Sequence, residues 1–168
     1  MVARMQKTKG IYEYCECARL VRKKYPDAVF NYLGGEGNVK VADIQGYIDD
    51  GSIRYLGTTN NVRPYLEDCT AFILPSYREG MPMSIMEAEA SGRAIITSDN
   101  VGCRDTVQEG YNGFLVEKGN TQGLAEKAIW CIEHPEETEQ MGRNSRTFAE
   151  EYFDQKKINE KIISILTR

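Results

Sequence analysis

"AFILPSYREGMPMSIMEAEASG", Ala71 to Gly92, changes character twice within 22 residues. Ala71–Leu74 is a continuous apolar run, the pattern of a parallel strand buried on both faces. Pro75, Gly80 and Pro82 then interrupt the chain. From Met83 onward the residues favour a helix, closed by Gly92. Strand, turn and helix in that order form part of a βαβ unit.

The same alternation extends outward in both directions. Upstream, "VARM" leads into "GIYEYCECARLVRKKYP", where Ile11, Cys15, Ala18 and Val21 fall at helical spacing. "AVFNYLGG" is a strand pattern ending in glycines, "VADIQGYIDDG" a short helix with Gly51 just past its end, "SIRYLG" a strand and "NVRPYLEDC" a short helix. Downstream come a strand, "AIITSD", a short helix, "RDTVQEG", and a last strand, "GFLVE". From Asn120 the pattern is helical, with Leu124, Ala128 and Ile132 on one apolar stripe and a second stripe in "QKKINEKIISIL". Six strands alternating with helices predict an α/β fold, a doubly wound parallel six-stranded sheet of Rossmann-like type, with residues 1–168 as one domain. Counting strands along the chain, the expected order is 3-2-1-4-5-6. Strands 1 and 4 then become neighbours, and ligands bind in the crevice beyond their C-terminal ends. Strand 1 has few residues ahead of Arg4, fewer than the usual five or six. The sequence is therefore expected to continue upstream in a longer protein.

Composition narrows the function classes. A hydrophobic share of 41% and a charged share of 27% are ordinary for a globular chain. The net charge of −4 gives no electrostatic reason to expect nucleic acid. No apolar run approaches the ~20 residues of a membrane span. The five cysteines lack metal-ligand spacing and are expected to be buried or half-buried thiols. The lone histidine, His134, precedes Pro135 and leaves little basis for a triad or a His-rich metal site.

Two loops reach the crevice. "RMQKTKG", after strand 1, carries Arg4 and Lys9 with Lys7 between them. It is either a solvated basic loop or a cradle for a phosphate or diphosphate. The second loop follows strand 4. Gly80 permits close approach of a ligand, and Pro82 suits the first helical turn. The amides of Gly80, Met81, Met83 and Ser84 would then form an anion site with the helix dipole. Glu79 and Glu87 flank this site. They either complement the dipole or accept from hydroxyls beside a bound anion, as a carboxylate holds ribose. Glu89 is two positions from Glu87, on another face, and is expected to be solvated.

"SYREGMPMSIMEAEASG" resembles the E-x7-E element of retaining GT-B glycosyltransferases of the family 4 type, and "VARMQKTKG" their Arg-x4-Lys element. "VGCRDTVQEGYNGFLVEKGN" resembles the stretch that follows in enzymes of bacterial surface polysaccharide synthesis. The likeness spans essentially the whole chain. It implies the C-terminal, donor-binding half of a two-domain enzyme whose absent N-terminal domain holds a glycan or lipid-linked acceptor. It implies a nucleotide diphosphate sugar as donor, with no metal or other cofactor. Arg4 and Lys9 would hold the diphosphate, Glu79 the donor sugar and Glu87 the ribose, with Arg54 by the base. The full enzyme is expected in the cytoplasm, at the inner face of the membrane. The last helix would leave an apolar stripe exposed and invite dimer contacts. A sugar-nucleotide-binding module without catalysis and half of a GT-B-like epimerase remain as alternatives.

Overall fold

The computed structural model describes residues 1–167. Five parallel strands form two groups: β1 (Asn31–Tyr32) pairs with β2 (Arg54–Tyr55), and β4 (Ala94–Ser98) lies between β3 (Ala71–Leu74) and β5 (Gly113–Val116). The opening segment is the sixth strand of the expected set. It is reduced to parallel bridges from Val2 to Leu33 and from Met5 to Glu36. The Ala3 amide donates to the Leu33 carbonyl at 3.0 Å, and the Leu33 amide to the Met1 carbonyl at 3.0 Å. The halves 3-2-1 and 4-5-6 of the expected order are both present. Among the described residues no strand pairing joins them.

The halves meet through their loops instead. The Tyr77 amide donates to the Thr8 carbonyl at 2.8 Å. Gly10 adopts φ +73°, and a Cβ there would stand 2.1 Å from the Pro75 carbonyl oxygen. Only glycine meets both demands. The two loops that the strand order brings together are therefore in direct contact at the crevice.

Helices cover the sheet. They are α1 (Ile11–Lys24), α2 (Gln45–Asp49), α3 (Arg63–Glu67), α4 (Met83–Ala90), α5 (Val101–Arg104), α6 (Thr121–Glu133), α7 (Pro135–Tyr152) and α8 (Gln155–Leu166). α1 packs on α6, α4 packs on α7, and both groups reach β4. All five residues of β4 are buried, as expected for a strand covered on both faces. The α1 stripe Ile11, Cys15, Ala18 and Val21 lies in the core as its spacing predicts. The cysteines are all free thiols, four buried and Cys69 half-buried.

Four local expectations are corrected. "RDTVQEG" is not a helix: α5 forms one turn earlier, because Asn100 accepts the Cys103 amide and caps Val101–Arg104. Ile132 is 38% exposed at the end of α6, whereas Leu124 and Ala128 are buried. Pro82 is the residue ahead of α4 rather than its first turn, and its carbonyl accepts the Ile85 amide at 2.9 Å. Glu89 is fully buried rather than solvated. It lies with Ile85 and Ala88 on the α4 face turned inward, at i+4 and i+1 from them. Along α8 the isoleucine stripe is exposed, from Ile158 at 40% to Ile165 at 63%.

Candidate functional site

A cleft of about 460 Å³ opens where the two loops meet. Its walls include eight of the ten residues that the sequence singles out: Arg4, Lys9, Glu79, Met81, Pro82, Met83, Ser84 and Glu87. Gly80 is in the same turn but does not line the cleft. Arg54 is a correction. It stands at the start of β2, while the cleft opens at the other end of the strands, and it lines a separate cavity of about 610 Å³. The direction of a parallel strand separates the two positions.

Each side chain is delivered by a short element. Lys7–Lys9 form one 3₁₀ turn, closed by the Gly10 amide donating to the Lys7 carbonyl. That turn directs Lys9 across the crevice to the opposite loop. Lys9 Nζ lies 2.7 Å from Glu79 Oε1 and 2.8 Å from Oε2, so the ammonium faces the whole carboxylate. The Ser76 hydroxyl also donates to Glu79 Oε1 at 2.7 Å. The Glu79 side chain is 8% exposed and that of Lys9 28%. The Lys9 ammonium and the Ser76 hydroxyl therefore satisfy both oxygens of a largely buried carboxylate.

The start of α4 supplies amides. Its first main-chain bonds run from Ile85 and Met86 to the Pro82 carbonyl. The amides of Met83 and Ser84 precede them, at the positive end of the helix dipole. Glu87 is exposed one turn along α4, and partial desolvation raises its carboxyl above the usual value. Arg4 is exposed on the facing wall. The cleft thus holds two cations, a helix start and two carboxylates, one of them in a salt bridge.

Residues that the sequence does not single out complete the walls. Gly34 and Gly35 follow β1, and Thr58 and Thr59 follow β2. The glycine pair ending "NYLGG" carried a signal, since those strands also point their C-terminal ends at the crevice. Ser76 carried none, because a small polar residue after a strand has no distinctive spacing.

The family model described as "Glycosyl transferases group 1" matches residues 1–134. The chain belongs to that family. This group 1 glycosyltransferase chain is 31% identical over 169 aligned positions to the N,N'-diacetylbacillosaminyl-diphospho-undecaprenol alpha-1,3-N-acetylgalactosaminyltransferase of Campylobacter jejuni, covering 100% of this chain and 44% of that protein. It is 31% identical over 155 residues to an uncharacterized glycosyltransferase of Haemophilus influenzae, covering 90% and 44%. The chain thus spans less than half the length of these curated relatives. Among solved structures, TarM superposes with a TM-score of 0.89 at 27% identity, over 100% of this chain and 34% of that one. A variant of the Staphylococcus aureus TarM was solved with UDP bound. The C-terminal domain of a group 1 glycosyl transferase, LpcC from Francisella tularensis, matches in fold with a TM-score of 0.81, at 22% identity and covering 92% of this chain and 85% of that one. The fold of the group 1 chain is a Rossmann-like half of the GT-B architecture.

Proposed function

We propose that this chain is the donor-binding half of an enzyme that moves a hexose from a nucleoside diphosphate sugar to a glycan or lipid-linked acceptor, with the anomeric configuration retained. One observation carries the reading: Arg4, Lys9, Glu79 and Glu87, from both ends of an 84-residue span of sequence, converge on one cleft at the start of α4. Two cations and a helix start suit a diphosphate. They also offset the charge that develops on the leaving diphosphate during transfer. Glu87 takes the ribose hydroxyls and Glu79 those of the donor sugar. The wall of Gly34, Gly35, Thr58 and Thr59 takes the base, in place of Arg54.

UDP in the TarM variant supports a uridine donor. The "alpha" in the name of the Campylobacter relative agrees with retention from an α-linked donor, and its "diphospho-undecaprenol" with synthesis of bacterial surface polysaccharide on a lipid carrier. In this reading the fixed cations neutralise the diphosphate without a metal, so EDTA leaves donor binding unchanged. The enzyme works in the cytoplasm at the inner face of the membrane. The exposed stripe of α8 packs against the remainder of the enzyme.

Titration calorimetry of the 168-residue chain with UDP, GDP and their glucose and N-acetylhexosamine derivatives tests the reading. UDP and at least one UDP-sugar bind, and Glu87→Ala weakens UDP about tenfold through the lost ribose contact. Failure of every nucleotide to bind sinks the reading. An unchanged UDP affinity in Glu87→Ala removes the ribose assignment alone.

A further inference from the structure

The acidic end of the cleft rests on a polar support that lines none of it. Ser76 is fully buried, and its hydroxyl holds Glu79 at 2.7 Å. The Ser76 main-chain carbonyl in turn accepts from Asn100 Nδ2 at 2.8 Å. Asn100 is buried as well, and its Oδ1 accepts the Cys103 amide at 3.3 Å. One side chain therefore caps α5 and anchors the loop that carries Glu79. Gly102 completes the support. A Cβ at Gly102 would stand 2.4 Å from the Gly80 carbonyl oxygen and 2.6 Å from that of Glu79. The start of α5 is thus pressed flat against the backbone beneath the carboxylate, an approach that only glycine permits.

This arrangement is more specific than packing. Glu79 could adopt several rotamers, and a Glu side chain loses substantial entropy when fixed. Here its carboxylate is fixed from two sides, by the Ser76 hydroxyl from below and the Lys9 ammonium from the cleft. Lys9 is long and 28% exposed, and both its short contacts are to this carboxylate. Fixing Glu79 therefore also fixes the position of the Lys9 charge.

We infer that Ser76, Asn100 and Gly102 are positioning residues that hold Glu79, and through it Lys9, in the geometry that receives the donor. The inference rests on the donor-binding reading above. Asn100 and Gly102 belong to the segment after β4, so that segment takes part in donor recognition without touching the donor.

A double-mutant cycle tests it, with the 168-residue chain titrated with UDP-N-acetylglucosamine, UDP-N-acetylgalactosamine, UDP-glucose and UDP. For the UDP-sugar that binds tightest, Ser76→Ala weakens affinity about tenfold, the scale of one hydrogen bond to a charged group. In the Glu79→Ala background the same change adds less than about twofold, because the group it positions is gone. Asn100→Asp keeps the acceptor that caps α5 but removes the donor to Ser76, and it weakens the UDP-sugar in the same direction. Equal losses from Ser76→Ala with and without Glu79 would reduce Ser76 to a packing residue and overturn the inference. So would undiminished UDP-sugar affinity in Ser76→Ala, while leaving the donor-binding reading intact. If the unaltered chain binds no UDP-sugar, that reading falls and this inference with it.

Discussion

Glu79 and Glu89 are ten residues apart, both largely or fully buried, and live under opposite conditions. Glu79 has an ammonium across both oxygens and a hydroxyl on one. Among the described residues Glu89 has a single neutral donor, Asn112 Nδ2 at 3.1 Å to Oε1, and its Oε2 has no partner. Burial without a cation pushes the Glu89 carboxyl up to about 9. It is therefore an uncharged acid at neutral pH, whereas Glu79 faces its cation as a carboxylate. A buried acid keeps its charge where the fold brings a cation to it and loses it elsewhere. The cleft is a place where the fold brings one.

The largest test of this contrast is the pH dependence of stability. The folded pKa of Glu89 lies above its unfolded value of 4.5, so between these values the native state holds a proton that the unfolded chain has released. Stability from this group falls as pH rises from about 4.5 to about 9, by up to about 1.4 kcal/mol per pH unit. Glu89→Gln removes this titration, and urea unfolding of that variant then loses less stability than the parent between about pH 5 and 8. Identical pH profiles for parent and variant would place Glu89 outside the buried, neutral state described here.

Lys9→Met is expected to have the next largest effect. It leaves the Glu79 carboxylate 8% exposed with the Ser76 hydroxyl alone, and costs about 2–3 kcal/mol, below the range for fully buried pairs because Lys9 is partly solvated. Urea unfolding at pH 7 measures it, and adding Glu79→Gln to Lys9→Met restores most of the loss. Without that recovery, the loss would come from packing rather than from the stranded charge.

Glu87→Ala sharpens the comparison from the other side. Glu87 is exposed, and no hydrogen bond ties down its carboxylate among the described residues. Its removal changes the unfolding free energy by less than about 0.5 kcal/mol while weakening UDP. A large loss of stability would mean that Glu87 supports α4 rather than meeting a ligand. The smallest effect belongs to Arg63→Ala. Its partner Glu67 is one helical turn away in α3, at 2.7 Å, and both side chains are more than half exposed. Such surface pairs contribute about 0.3–0.5 kcal/mol, and less at high salt. A measured loss above 1 kcal/mol would contradict the view that burial, not proximity, makes the Lys9–Glu79 pair matter.

Much of this was legible in the residues. The unbroken apolar run at Ala71–Leu74, the helical spacing of Ile11, Cys15, Ala18 and Val21, and the glycines closing strands and helices all follow from local periodicity and backbone sterics. They fix which segments are strands and helices, and the alternation implies a parallel sheet. From that order the meeting of the Arg4–Lys9 loop with the Glu79–Glu87 segment could be expected, because ligand crevices open where strand order reverses. Periodicity also held the clue to Glu89, which shares a helical face with Ile85 and Ala88, but a charged residue is assigned to solvent by default.

What the tertiary structure alone decided is which groups touch. Arg54 lies at the far end of its strand from the crevice, and only strand direction in three dimensions reveals that. Lys9 and Glu79 are 70 residues apart, and the 2.7 Å between them depends on two loops meeting at Gly10 and Pro75. Ser76, Asn100 and Gly102 acquire their roles from contacts at separations of 3 to 24 residues, the widest between Ser76 and Asn100. Local sequence sets backbone conformation because sterics act between neighbours. Charge pairing and desolvation act through space, so the environment of each ionisable group is settled only when the chain has folded.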